Sequence, residues 1–334
     1  MSPTFMRREI DEIPEAARRL TDPATQDAFK ATAAALRAHD PRAIVTIARG
    51  SSDHAATCLK YAFELVAGVP VASLGPSVAT IYGAQLRFDR VTALGISQSG
   101  QSSDLVQMME SAALGGAQTI TLTNHSDSPL AAAATHVLDI HAGPEQAVAA
   151  TKSYTNSILT GLWLAAHWQQ DDALIAALLT LPDRLDTALE NDVSRMTEAL
   201  IGLDRLVVLS RGPTLGIACE VALKAMEVCA IPAISYSSAE VLHGPSAVLK
   251  HGYPVLPIPS NPGSGLTDTL GILRAQGASI LPTVSGAAIP HSAMPALDAL
   301  DALVPLYGAL EAVSLRRGLN PDKPVGLAKV TNTV

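Results

Sequence analysis

Two groups of residues in this chain have the types and spacing that chemistry needs. The first is an acid–base row. In "GIACEVALKAMEVCAIP", Glu220, Lys224 and Glu227 stand at i, i+4 and i+7, which on a helix places them on one face of an otherwise apolar segment. Such a row is either a solvated, salt-bridged stripe or the setting of a half-buried carboxylate tuned for general-base work; the apolar neighbours make Glu227 a candidate for the second. Nearby, "SSAEVLHGPSAVL" carries His243 ahead of Gly244-Pro245, a pair that ends or redirects a helix and would leave the imidazole in a loop.

The second group is hydroxyl-rich. "RGSSDH" at 49–54 and "GISQSGQSSD" at 95–104 supply Ser51, Ser52, Ser97, Ser99 and Ser102, with Gly100 allowing close approach. Where a strand hands over to a helix, such hydroxyls and the unpaired helix-start N–H groups form a cradle for a phosphate. A single serine turn is better explained by helix capping, but two such turns at neighbouring strand ends favour the cradle. A nucleophile elbow is excluded because G-x-S-x-G needs glycine where Ser99 stands, and neither G-x-G-x-x-G nor G-x-x-x-x-G-K-[ST] occurs. His136, Asp139 and His141 straddle the β-like run "HVLDIH" with no third ligand at metal spacing, so neither a metal nor another cofactor is expected.

Elements that position these residues follow from a repeat. "AIVTIARGSS" at 43–52 is answered by "RLVVLSRGPT" at 205–214, so that Arg49-Gly50 matches Arg211-Gly212 at an offset of 211 − 49 = 162. "VPVAS" at 69 meets "IPAIS" at 231, the apolar run from Val91 meets that from Tyr253 at the same offset, and "GAQTITLT" from Gly116 faces "GASILPTV" from Gly277 at 161. Four successive agreements imply a tandem duplication.

In each half, β-rich runs ending in Gly, Ser or Pro alternate with Ala/Leu-rich stretches, the pattern of a doubly wound, mostly parallel α/β sheet covered on both faces. The first half predicts strands near 43–48, 70–73, 91–96, 118–123 and 136–140, and helices near 53–67, 77–86, 102–115 and 151–169. The second half repeats this from about 205, after a charged amphipathic helical linker. In the second copy, Pro259-Ser260-Asn261 replaces Ser97-Gln98-Ser99, so one phosphate-competent half per chain is expected.

Composition narrows the partners. With 334 residues, 48% hydrophobic and 16% charged, the chain can bury a large core in about two domains. A net charge of −8 argues against nucleic acid or an anionic membrane as the main partner. No apolar run approaches the roughly 18 residues of a spanning helix, the N-terminus lacks a signal-like h-region, and Cys58, Cys219 and Cys229 are widely spaced; a cytoplasmic protein is expected.

Six ordered motifs, "RGSSDHA", "SQSGQSSD", "AVAATKSYT", "ALKAMEV", "SAEVLHGPSAV" and "GLAKVTNTV", with "FMRREIDEIPEA" near the start, make nearly the whole chain resemble the sugar isomerase (SIS) family. The likeness is greatest to the isomerase half of glutamine–fructose-6-phosphate aminotransferase and its stand-alone relatives. The resemblance implies two tandem SIS domains, each a five-stranded flavodoxin-like sheet, at 35–170 and 196–317. An N-terminal helical segment (1–34), a helical linker (171–195) and a catalytic tail (318–334) would flank them.

It further implies that Ser51, Ser52, Ser97, Gln98, Ser99 and Ser102 bind a sugar phosphate, with Val148 and Ala328 close to the sugar. Glu227 would move a proton between C1 and C2, His243 would open the ring, and Lys329 would engage the open-chain carbonyl. In the family that histidine comes from the neighbouring subunit, which implies a homodimer. Two departures stand out: Ser51 replaces the usual threonine, and Ala150 stands where serine is common. The chain starts Met1-Ser2, with Cys58 as its first cysteine, where the full aminotransferase has a glutaminase domain with an N-terminal cysteine nucleophile. The expectation is therefore a glucosamine-6-phosphate deaminase. A 6-phosphosugar isomerase, an ammonia-dependent aminotransferase or a deglycase is the alternative, and a non-catalytic phosphosugar sensor is the reading from another class. The residues before the first strand are too few and too acidic for the helix-turn-helix that such sensors carry.

Overall fold

The structure, a computed structural model, describes residues 2–261, 263–283 and 294–329. The chain forms two compact units, neither continuous in sequence. The first-sheet unit comprises Glu15–Glu145, Lys152–Thr180 and Ala328–Val334; the second-sheet unit comprises Met1–Pro14, Gln146–Thr151 and Leu181–Leu327.

In the first-sheet unit, short runs rich in Val, Ile and Thr form β1 (Ala43–Ile47), β2 (Val71–Ser73), β3 (Val91–Ser97), β4 (Gln118–Thr123) and β5 (His136–Asp139). Each lies within one residue of its expected ends, and all pair in parallel in the order β2-β1-β3-β4-β5. Parallel neighbours need crossovers, and the Ala/Leu-rich stretches supply them as helices Gly50–Ala67 and Ser103–Leu114. Ile47 and Ala93 on the sheet pack with Leu105, Met108 and Met109 of the second helix into one apolar cluster. Helix Lys152–Gln169 is buried along almost its whole length, and its Trp163 stacks on Phe29 with ring centroids 6.3 Å apart.

One expected helix is shorter than its sequence suggests. The helix read near 77–86 spans only Ser77–Thr80. Gly83 then adopts φ +59°, and the amides of Ala84 and Phe88 donate to the carbonyls of Val78 and Gly115, so the chain continues as a loop. Hydrogen bonds to a distant carbonyl have outweighed local helix propensity.

The second-sheet unit contains β6 (Leu206–Ser210), β7 (Ala233–Ser237), β8 (Pro254–Pro257) and β9 (Ser279–Ile280), parallel in the order β7-β6-β8-β9. Pairing register repeats that of the first sheet. Ile44 faces Val71 as Leu206 faces Ala233 (206 − 44 and 233 − 71, both 162), and Val45 faces Ala93 as Val207 faces Val255. Thr92 faces Gln118 as Pro254 faces Ser279, where the second offset is 279 − 118 = 161. Four strands are present among the described residues rather than the five expected. At the 161-residue offset the counterpart of β5 would fall at 297–301, which is helical within Pro295–Arg316; residues 284–293, between β9 and that helix, lie outside the described residues. The expected linker folds as two helices, Asp172–Leu189 and Ser194–Ile201. Among the described residues no helix is long and apolar enough to cross a membrane.

Trp163 is 2% exposed, so Trp163→Ala should cost about 3–5 kcal/mol of stability by the usual aromatic-to-alanine scale. Leu114→Ala, at a position 87% exposed, should stay within about 0.5 kcal/mol. Urea unfolding monitored by circular dichroism checks both.

Candidate active site

The serine turn follows β3 directly and its backbone is pinned from outside. The Asn124 amide donates to the Gln98 carbonyl (3.1 Å) and the Leu130 amide donates to the Gly100 carbonyl (3.1 Å). Ser97 Oγ accepts from the Gly100 amide at 3.1 Å, and Ser99 Oγ accepts from the Gln101 amide at 3.3 Å. Gly100 takes φ +61°, and a Cβ there would fall 2.1 Å from Ser128 Oγ, so the position requires glycine for both conformation and space. Ser102 occupies the N-cap of helix Ser103–Leu114 yet makes no side-chain cap hydrogen bond. Capping therefore does not account for this serine, whereas Ser128 does cap its own short helix, accepting from the Ala131 amide at 3.3 Å.

Ser51 and Ser52 lie in the first turn of helix Gly50–Ala67, at the end of β1, which is the neighbour of β3. The two turns are joined by an ion pair the sequence reading did not assign. Arg49 donates from Nε and Nη2 to Asp104 Oδ2, each at 3.2 Å, with Asp104 almost buried and Arg49 half exposed. The repeat of Arg49-Gly50 as Arg211-Gly212 was the available signal. Beside these serines, burial raises the Asp53 carboxyl, with the His54 and Arg49 charges pulling the other way. The second sheet uses its counterpart differently: Ser260 Oγ, after β8, donates at 2.9 Å to the carbonyl of Arg211, after the neighbouring β6.

Also in the first-sheet unit, Lys329 Nζ lies 3.1 Å from Glu145 Oε2, a carboxylate whose side chain is fully buried. Glu145 also accepts from the Ser153 amide (3.1 Å) and hydroxyl (2.6 Å), so it is fixed before the lysine reaches it. Ala328, next to Lys329, is exposed.

In the second-sheet unit, Val148 sits in a stretch held by its backbone. The Gln146 and Ala147 amides donate to the buried Glu9 carboxylate, and the Val148 amide donates to the Asp322 carbonyl at 3.2 Å. Asp322 in turn accepts from the Phe5 and Met6 amides at 2.9 and 2.8 Å, closing the first turn of helix Phe5–Asp11.

The acid–base row lies on helix Leu215–Cys229 and is no solvated stripe. Glu220 and Lys224 are 0% and 1% exposed, while Glu227 is 21% exposed at its side chain. Lys224 Nζ hydrogen-bonds Glu227 Oε2 and stands 3.5 Å from Glu220 Oε1; Tyr307 donates to Glu220 Oε1 at 3.2 Å. A buried ammonium is thus shared by two carboxylates, one sealed and one reaching solvent. His243 follows the 3-10 turn Glu240–Leu242 and is exposed, with Gly244 at φ +138° redirecting the chain after it.

The structure brings the six hydroxyl and amide candidates together at two adjacent strand ends of one unit, with Ala328 and Lys329 in that same unit. It places Val148, Glu227 and His243 in the other. Of the histidine cluster considered for metal, His141 Nε2 lies 3.1 Å from Thr25 Oγ1, and Asp139 accepts from Ser126 and from the His141 amide. His136 Nε2 is 3.4 Å from Gln118 Nε2, so each is engaged in packing the sheet edge.

Comparison with known proteins adds an independent view. A family model of the SIS domain matches residues 39–167. Over 303 residues the chain is 33% identical to a glutamine–fructose-6-phosphate aminotransferase (isomerizing) of Methanothermobacter thermautotrophicus, covering 86% of this chain and 51% of that protein. The chain spans about half the length of the curated relatives it matches. A crystal structure from Silicibacter pomeroyi DSS-3, described as a "putative phosphosugar isomerase", superposes with a TM-score of 0.87 at 44% identity over 96% of this chain and 100% of that one. A glucosamine-6-phosphate deaminase from Thermotoga maritima shares the fold, with a TM-score of 0.80 at 22% identity over 99% and 100% of the two chains.

The contrast between the two serines is measurable. Ser128→Ala should cost about 1 kcal/mol, as loss of a working cap does, and Ser102→Ala no more than about 0.3 kcal/mol. Equal losses in thermal denaturation would return Ser102 to a capping role.

Proposed function

The chain belongs to the SIS domain family, and from that footing we propose that it moves a proton between C1 and C2 of an open-chain 6-phosphosugar and releases ammonia from glucosamine 6-phosphate. In this reading the chain holds two tandem SIS domains, 35–170 and 196–317, between an N-terminal helical segment, a linker and a catalytic tail. Ser51, Ser52, Ser97, Gln98, Ser99 and Ser102 hold the phosphate, and Val148 and Ala328 line the sugar.

The observation that carries the proposal is the Glu220–Lys224–Glu227 row, sealed at one end and open at the other. His243 assists ring opening, which frees the C1 aldehyde, and Lys329 engages the open-chain carbonyl. Glu227 takes the C2 proton and returns it to C1, while the Lys224 ammonium beside it stabilises developing negative charge. As O1 gains a proton and the C2 amine loses one, the product of that transfer is an imine at C2. Water adds to it, the C–N bond breaks, and fructose 6-phosphate and ammonia leave. The sugar-handling groups and water suffice for this direction, and because free ammonia is dilute, mass action favours release.

The likeness to the Silicibacter pomeroyi structure supports a second reading, simple aldose–ketose isomerisation of a 6-phosphosugar. Incubation with glucosamine 6-phosphate and parallel assay of ammonia and ketose phosphate separates the two. Both products in equal amounts support deamination; ketose alone from an aldose 6-phosphate supports isomerisation; neither product from any 6-phosphosugar removes both.

Glu227→Gln should retain phosphosugar binding by calorimetry and lose turnover; loss of binding would make Glu227 structural. The reading also includes a cytoplasmic homodimer in which each subunit supplies His243 to its neighbour. A mixture of His243→Ala and Glu227→Gln proteins, each inactive alone, should then recover about a quarter of wild-type activity, because half the dimers are mixed and one site in each is intact. No recovery after subunit exchange would place His243 in its own chain's site.

A further inference from the structure

Tyr307 has no part in the reaction as described, yet it touches the far end of the acid–base row. It lies on helix Pro295–Arg316, is 0% exposed, and donates its phenol hydrogen to Glu220 Oε1 at 3.2 Å. We propose that Tyr307 is a positioning residue for proton transfer, acting through Glu220 and Lys224 on Glu227. The proposal rests on Glu227 being the group that moves the proton.

Lys224 has carboxylates on both sides, Glu220 one turn before it and Glu227 one turn after, and at 1% exposure bulk solvent does not screen it from either. In a dry site a carboxylate needs protein donors, and the more it is satisfied by others the less strongly it competes for a shared ammonium. A phenol gives Glu220 a hydrogen bond without bringing charge. The distances show the resulting asymmetry: Lys224 hydrogen-bonds Glu227 but stands 3.5 Å from Glu220. Remove the phenol hydrogen and Glu220 draws the ammonium back, away from the carboxylate that faces the sugar.

Tyr307 is itself held in place. Arg7 Nη2 donates to the carbonyl of the next residue, Gly308, and to Glu311 Oε2, both at 2.9 Å. A Cβ at Gly308 would sit 2.9 Å from Arg7 Nη1, so the bare backbone there is what lets the guanidinium approach. Thr4 adds a hydrogen bond to Glu311 Oε1 at 2.9 Å. Helix Phe5–Asp11 thereby fixes the stretch of helix that presents the phenol.

The test uses the full chain with Tyr307→Phe, Glu220→Gln, the double variant and Glu227→Gln. Each is assayed for turnover of glucosamine 6-phosphate and for hydrogen exchange at C2 of glucosamine 6-phosphate and at C1 of fructose 6-phosphate in D2O by NMR. Tyr307→Phe should lower kcat and exchange about tenfold, the size expected for one hydrogen bond to a charged group, with KM within about twofold. The thermal midpoint reports folding separately. The double variant should be no slower than Glu220→Gln alone, because both changes act on one path.

Wild-type kcat and exchange in Tyr307→Phe would overturn the proposal, as would multiplying losses in the double variant, and in either case an inactive Glu227→Gln would leave the reading of Glu227 standing. Persistent exchange in Glu227→Gln, or none in the wild type with either sugar, would overturn that reading and the role of Tyr307 together.

Discussion

Parallel pairing is the constraint from which the other features follow. A strand that pairs in parallel cannot turn back directly; it must leave at the same sheet edge as its neighbour and return through a crossover. Every strand therefore delivers its last residues, and the first turn of the next helix, to one edge. In the first sheet that edge receives Ser97 to Ser102 after β3 and Ser51 and Ser52 after β1, and the Arg49–Asp104 pair ties the two turns together. The hydroxyl cluster is a consequence of how the sheet is wound, with little further instruction needed to bring its members side by side.

The second sheet has the same winding and has put its equivalent edge to other use. Ser260 is consumed by the Arg211 carbonyl, and polar capacity has moved to helix Leu215–Cys229, which follows β6 as helix Gly50–Ala67 follows β1. There the two ion pairs are costly by themselves, since charges without water are stabilised only by close partners. Their presence in so apolar a helix is hard to explain by stability. It fits a site that needs one carboxylate at the surface and a fixed cation behind it.

Strands and repeats were legible in the sequence because both are local or periodic. Val/Ile/Thr runs ending in Gly or Ser mark strands, and the 162-residue offset survives in the hydrogen-bond register itself. The row on helix Leu215–Cys229 was legible from helical spacing, though spacing alone left open a solvated stripe, and only burial decides between the two. What was not legible depends on partners far away in the chain. Glu9 meets Ala147 across 138 residues and Tyr307 meets Glu220 across 87, and neither has a sequence neighbour that hints at the match. The idle Ser102 hydroxyl is of this kind too, as its turn is held by Asn124 and Leu130. The short helix at Ser77–Thr80 shows the reverse case, in which a good local signal yields to the Gly115 carbonyl.

The slip from 162 to 161 between β8 and β9 says where this architecture can change length. The missing residue lies in a crossover, where helix Leu266–Ala275 is two residues shorter than Ser103–Leu114, 10 against 12. Strand pairing advances in whole residues, and a single step turns every side chain to the opposite face, so a strand cannot absorb a deletion. A helix and its flanking turns can, by ending early. Between the two sheets the strand pairing has kept count while a crossover has not, so the crossovers are where insertions and deletions are tolerated.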